Sequence, residues 1–136
     1  MGKDPILLET EIFNYREVKP HFINACCFGE DFAEWMRMHL LRILENDFRL
    51  SNIIQEDWGW GFWARKGKDP FWIGVGHISN CDQQSPAQWM VFVECDYGLN
   101  VFKRLFYRPN EAALAHLQLK VRQVLESDPG IRMLPA

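Results

Sequence analysis

No stretch of this 136-residue chain is strongly basic. Fifteen Lys and Arg are outnumbered by 18 Asp and Glu, for a net charge of −3. A nucleic-acid surface needs clustered cations, so no nucleic-acid partner is expected. Long apolar runs are also missing: charges break every hydrophobic stretch, so nothing is long enough to span a bilayer and no membrane partner is expected. Met1-Gly2-Lys3-Asp4-Pro5 is not followed by the apolar segment of a secretory signal. Ile6 stands where an N-myristoylation signal requires Ser or Thr. Cys26, Cys27, Cys81 and Cys95 contain no Cys-x-x-Cys pair, which removes the common zinc patterns. Four buried or half-buried thiols in a reducing compartment are the expectation. With no span, signal or lipidation motif read from the sequence, a cytoplasmic protein is the default. No serine sits in a Gly-x-Ser-x-Gly elbow, and Gly74-Val75-Gly76 is not followed by a phosphate-cradling helix. No metal and no cofactor are expected.

What the chain does have is aromatic residues, six Trp and ten Phe, in a composition that is 48% hydrophobic. The length suits one domain over 1–136 with one core. Rings and glycines are densest in Gln55-Glu56-Asp57-Trp58-Gly59-Trp60-Gly61-Phe62-Trp63-Ala64-Arg65. That run reads as a strand over 54–65, with Trp58, Trp60, Phe62 and Ala64 on one face and Gly59, Gly61 and Trp63 on the other.

Hydropathy periods place the other elements. A first strand covers 6–15, near a sheet edge because of Glu9 and Glu11. Phe22 to Phe28 reads as a buried loop or short strand. Phe32, Trp35, Met36, His39, Leu40, Ile43 and Leu44 form the stripe of a helix over 30–46, with Glu30 and Asp31 in its first turn. After the turn at Arg65–Pro70 a strand runs over 71–78, a polar loop over 79–86 and a third strand over 88–96. Val101 to Tyr107 reads as a short strand or extended arm. Asn110 caps a second helix that buries Leu114, Leu117, Val121, Val124 and Leu125 and stops at Ser127–Gly130. Ile131–Leu134 adds an edge strand. The order β-α-β-β-β-(β)-α-β implies an α+β two-layer sandwich, an antiparallel sheet of about four to six strands with two helices on one face.

A register follows from satisfying both faces of the central hairpin at once. Trp63 lies opposite Trp72, Gly61 opposite Gly74 and Gly59 opposite Gly76, while Phe71, Ile73, Val75 and His77 turn to the helices. Trp89, Val91, Val93 and Cys95 join the helix side, leaving Met90 and Phe92 beside the glycine strip, with Glu94 near it. Paired glycines weaken a strand and need a reason. Three readings stand open: the chain covers the strip itself, the strip is a homodimer interface, or a small molecule or peptide lies in it between Trp63 and Trp72. The candidate ligand or interface residues are therefore Trp63, Trp72, Gly59, Gly61, Gly74, Gly76, Met90 and Phe92.

Acidic residues near the strand ends offer a weaker chemistry. Glu56, His77 and Glu94 are candidates for a carboxylate–imidazole cluster, for acid–base work or a divalent cation. Glu56 and Asp57 point to opposite faces of a strand, so only one joins any site. His39 reads as a boundary histidine.

The run Gln55-Glu56-Asp57-Trp58-Gly59-Trp60, with Gly67-Lys68-Asp69-Pro70-Phe71-Trp72 after it, resembles small bacterial proteins that carry no assigned function. The resemblance covers most of the chain and implies a bacterial source, but no activity, cofactor or residue role. The expectation is a non-enzymatic interaction or binding domain, with itself or another protein as partner. The alternative is a small enzyme or metal-binding protein.

Overall fold

The computed structural model describes residues 5–78, 85–98, 100–106 and 108–135. Its elements are β1 (Ile6–Glu9), α1 (Glu30–Ile43), β2 (Phe48–Leu50), β3 (Ile54–Glu56), β4 (Gly59–Lys66), β5 (Asp69–Ile78), β6 (Gln88–Cys95), α2 (Val101–Phe106), α3 (Glu111–Glu126) and β7 (Arg132–Met133). The strands form one antiparallel sheet in the order β2-β4-β5-β6-β1-β7, and β3 pairs with β4 beside β2. Among the described residues the sheet has seven strands, where the hydropathy pattern implied four to six. The architecture is the expected α+β arrangement: α1 packs across β4 and β5, and α3 across β6.

Strand parity explains the core. Trp60, Phe62 and Ala64 of β4, Phe71, Ile73 and Val75 of β5, and Trp89, Val91 and Val93 of β6 are all buried on the helix side. They meet Phe32, Ala33, Met36 and Leu40 from α1 and Ala113, Leu117, Val121, Val124 and Leu125 from α3. Both buried indoles find acceptors: Trp60 Nε1 donates to the Cys27 carbonyl at 2.8 Å and Trp89 Nε1 to the Thr10 carbonyl at 3.3 Å. Their hydrogen bonds tie the 10–28 segment to the sheet and avoid the penalty of an unpaired buried donor. Asn110 caps α3 as expected, its Oδ1 accepting from Ala113 N at 3.0 Å. His39 lies at the boundary, its Nδ1 donating to the Trp35 carbonyl at 2.8 Å.

Three expectations need correction, and one alternative is decided. The first strand ends at Glu9, because Thr10 turns aside; its hydroxyl donates to the Gly130 carbonyl at 2.7 Å and accepts from Ile12 N. The segment from Phe22 to Phe28 takes the loop alternative and not the strand, with only Cys27 and Phe28 buried. The stretch 54–65 is two strands, since Asp57 and Trp58 form a two-residue turn between Glu56 and Gly59. Finally, Val101–Phe106 is helix: Asn100 Oδ1 accepts from Lys103 N at 3.0 Å, and Phe102 meets Phe106 one turn on, with ring centroids 5.5 Å apart. A capping asparagine and an (i, i+4) aromatic pair favour helix over extended chain. Most of the 79–86 loop, and Tyr107, lie outside the described residues.

The β2–β3 edge is interrupted at Ser51–Ile53, and the serine side chain repairs the break. Ser51 N donates to the Trp63 carbonyl at 2.9 Å, and Trp63 N donates back to Ser51 Oγ at 2.8 Å, so a hydroxyl stands in for a strand carbonyl. Arg37 of α1 donates to the Ser51 carbonyl at 2.7 Å, pinning the bulge to the helix layer. Ser51→Ala leaves the Trp63 N–H without that acceptor. The expected loss is about 1–2 kcal/mol of unfolding free energy, read as a lower urea midpoint with unchanged slope.

Candidate functional site

The sheet face opposite the helices carries the residues singled out in the sequence. The register there is the inferred one: Trp63 pairs with Trp72, Gly61 with Gly74, Gly74 with Phe92 and Gly76 with Met90. Gly59 continues the pattern, the position of its missing Cβ lying 3.1 Å from Gly76 Cα. All four glycines are buried; the chain's own rings lie against Gly61, Gly74 and Gly76, and Gly59 lies against the backbone of Val75 and Gly76. A Cβ on Gly61 would sit 2.8 Å from Trp72 Cε2 and 2.6 Å from the Ile73 carbonyl oxygen. On Gly74 it would sit 2.7 Å from both Phe92 Cε1 and Trp58 Cη2. Gly61 and Gly74 are a floor on which Trp72, Phe92 and Trp58 rest, and the contact surface is made by the rings.

Trp58 is the residue that parity misplaced. On a continuous strand it would face the core. Because it sits on the β3–β4 turn, its indole instead folds back over β5, with its ring centroid 5.1 Å from that of Phe92 and its atoms against Gly74 and Gly76. It stays 39% exposed, as does Ile54, which the β3 register places on the same face opposite Gly61. Trp72 is only 5% exposed, wedged against Trp63 at 5.0 Å. The Arg65 guanidinium stacks over Trp63, with Cζ 5.0 Å from the ring centroid. Trp63, Met90 and Phe92 are half-buried. The exposed apolar surface is thus built from Trp58, Ile54, Trp63, Phe92 and Met90. The only sequence signal for Trp58 was Asp57 ahead of it, a residue type common in turns.

The turn is held from behind. Gln55 faces the helix side, where its Oε1 accepts from Ile23 N at 2.7 Å and its Nε2 donates to the His21 carbonyl at 3.0 Å. Asn24 Nδ2 donates to the Asp57 carbonyl at 2.9 Å. Buried Cys27 donates from Sγ to the Glu56 carbonyl at 3.1 Å.

The carboxylate–histidine cluster does not form. His77 faces the helix side among the rings of Tyr15, Phe28 and Trp89, with centroids at 6.4, 5.5 and 5.0 Å. Glu56 and Glu94 are on the other face but at different ends: Glu56 lies opposite Gly59, and Glu94 opposite Trp72 in the Trp63 row. Four residues along a strand separate those rows by on the order of 13 Å. Among the described residues no group of three His, Cys, Asp or Glu side chains is placed to hold a metal ion. No helix among them is long and apolar enough to cross a membrane.

The cysteines also depart from expectation. Cys26 is disulfide-bonded, while Cys27 and Cys95 are free; Cys81 lies outside the described residues. The expectation of four thiols therefore fails at Cys26. Burial pushes the Cys27 and Cys95 thiols up, so little thiolate forms at neutral pH. Elsewhere, donation from the Ser85 and Tyr15 hydroxyls holds the Glu11 carboxyl below its usual range, and His116 does the same for Glu45.

No family model matches the chain, and neither does any curated protein or solved structure. The site is therefore read from its own geometry.

Two outcomes follow from these contacts. Gly61→Ala forces the new methyl between the Trp72 ring and a backbone carbonyl, and is expected to cost about 1–3 kcal/mol by denaturant unfolding. A null effect would mean that the ring does not rest on that glycine. In the native protein at neutral pH, iodoacetamide should label Cys27 and Cys95 slowly. Under denaturing, non-reducing conditions mass spectrometry should find both alkylated and Cys26 unmodified, with Cys26 appearing only after reduction.

Proposed function

We propose that this protein is a non-enzymatic interaction domain that associates through the outer face of its sheet, with a second copy of the chain as the occupant. The observation that carries the reading is Trp58, held across Gly74 and Gly76 by a braced turn yet more than a third exposed, beside equally exposed Ile54. A large ring costs little side-chain entropy to present and offers much area, the usual profile of an interface anchor.

Charge supports a self-complementary arrangement. The outer face carries Arg49 and Arg65 at the end of β4 near the β4–β5 turn, Glu94 in the adjoining row opposite Trp72, and Glu56 at the opposite end. A two-fold axis lying in the interface and perpendicular to the strands brings Arg49 and Arg65 of one copy toward Glu56 of the other. The same rotation sets the Trp58–Phe92 pavement against its own image. The rings over the glycine floor present one sheet face, and two such faces can pack on each other.

The test is sedimentation equilibrium over a concentration series. A monomer–dimer equilibrium is expected, weakened at least roughly tenfold by Ile54→Asp, which is about 1.4 kcal/mol. A wild-type chain that stays monomeric at hundreds of micromolar, or an Ile54→Asp variant that dimerises as well as wild type, overturns the reading.

A further inference from the structure

The disulfide-bonded Cys26 lies within the loop that grips the Trp58 turn. The other cysteine of that 21–27 loop is Cys27, and Cys27 and Cys95 are both free, so the bond runs out of the loop. The grip on the turn passes through the residues on either side of Cys26. Asn24 Oδ1 accepts from Cys26 N at 2.9 Å, while Asn24 Nδ2 donates to the Asp57 carbonyl at 2.9 Å. One amide side chain therefore links the disulfide-bonded residue to the turn. On the other side, Cys27 donates from Sγ to the Glu56 carbonyl, and its own carbonyl accepts from Trp60 Nε1.

The loop is firm at its ends and loose between them. At its start His21 pairs with Glu30 at 2.8 Å, and Phe22 meets Phe28 and Trp60 edge-on. At its end Cys27 is buried. Between these anchors the backbone is neither helix nor strand, and Ile23, Asn24 and Ala25 are exposed. Their hydrogen bonds to Gln55 and Asp57 lie at the surface, where water competes and each adds little net stability. A covalent cross-link restrains such a segment more than any one of those bonds, because it limits the conformations open to the segment once it lifts. Residues 23–26 can thus open while the core keeps its packing. The neighbouring thiol does not disturb the bond: burial pushes Cys27 up, so little thiolate is present to attack.

We propose that the Cys26 disulfide is a redox control on Trp58. Intact, it keeps residues 23–26 against the turn and the indole across Gly74 and Gly76. Reduced, it frees the loop and the turn with it. A dithiol supplies the electrons. Its thiolate attacks one sulfur of the bond and forms a mixed disulfide; the other sulfur leaves and takes up a proton. The reductant's second thiol then closes on its first and releases the remaining cysteine. The protein gains two thiols, and the reductant ends as a disulfide. The consequence for self-association rests on the outer-face reading, whereas the effect on Trp58 does not.

The test compares the full chain before and after dithiothreitol, with the indole N–H resonance of Trp58 assigned by its loss in Trp58→Phe. Reduction is expected to open Cys26 to alkylation, leave the far-UV dichroism in place and move the Trp58 resonance. It should also weaken self-association at least roughly fivefold. Cys26→Ser without reductant should match the reduced protein, and Cys95→Ser should respond as wild type does. If the oxidised chain is monomeric, the association reading fails and the Trp58 resonance alone decides this one. A bond that dithiothreitol does not reduce in the native chain, a Trp58 resonance that reduction leaves unmoved, or loss of the whole fold overturns the proposal. So does association that reduction leaves unchanged in a chain that dimerises.

Discussion

The contact between aromatic rings and bare glycine backbone is the constraint on which the sheet depends. Trp72 lies where a side chain on Gly61 would be, and Phe92 and Trp58 lie where one on Gly74 would be. Glycine in a strand carries an entropic cost of about 0.5–1 kcal/mol relative to alanine. The buried ring area offsets that cost. The arrangement also allows one register only. A slip of one residue would lift the rings onto Phe62 and Ile73 and turn the helix-facing set to water. Ring placement on one face thus dictates core placement on the other, where the same pairing sets Trp60, Phe62, Ile73, Val75, Val91 and Val93 beneath α1 and α3.

This coupling explains which parts of the fold were legible in the sequence. Glycine pairs and a tryptophan pair can be aligned in one way that satisfies both faces, so the β4–β5 register could be inferred before any coordinates. Trp58 could not, because alternation assumes an uninterrupted strand, and the turn that interrupts it contains neither glycine nor proline. Asp57 and Trp58 turn because the 21–27 loop grips the backbone around them through Gln55, Asn24 and Cys27, contacts more than 25 residues distant in the chain. Strand β2 escaped for a related reason: three residues carry too short a pattern to read, and Phe48 declares itself only by pairing with Lys66. The segment Val101–Phe106 alternates well enough for a strand, and local capping decided otherwise.

The failed cluster shows the same limit. Proximity of Glu56, His77 and Glu94 was argued from strand ends, but a site needs a shared face and a shared row. His77 has the wrong face, and the two glutamates have different rows. Its neighbours Tyr15 and Phe28 come from the irregular 10–28 segment, where periodicity carries no information. That segment matters more than its lack of secondary structure suggests. It accepts both buried indole N–H groups, braces the Trp58 turn and contains the disulfide-bonded Cys26.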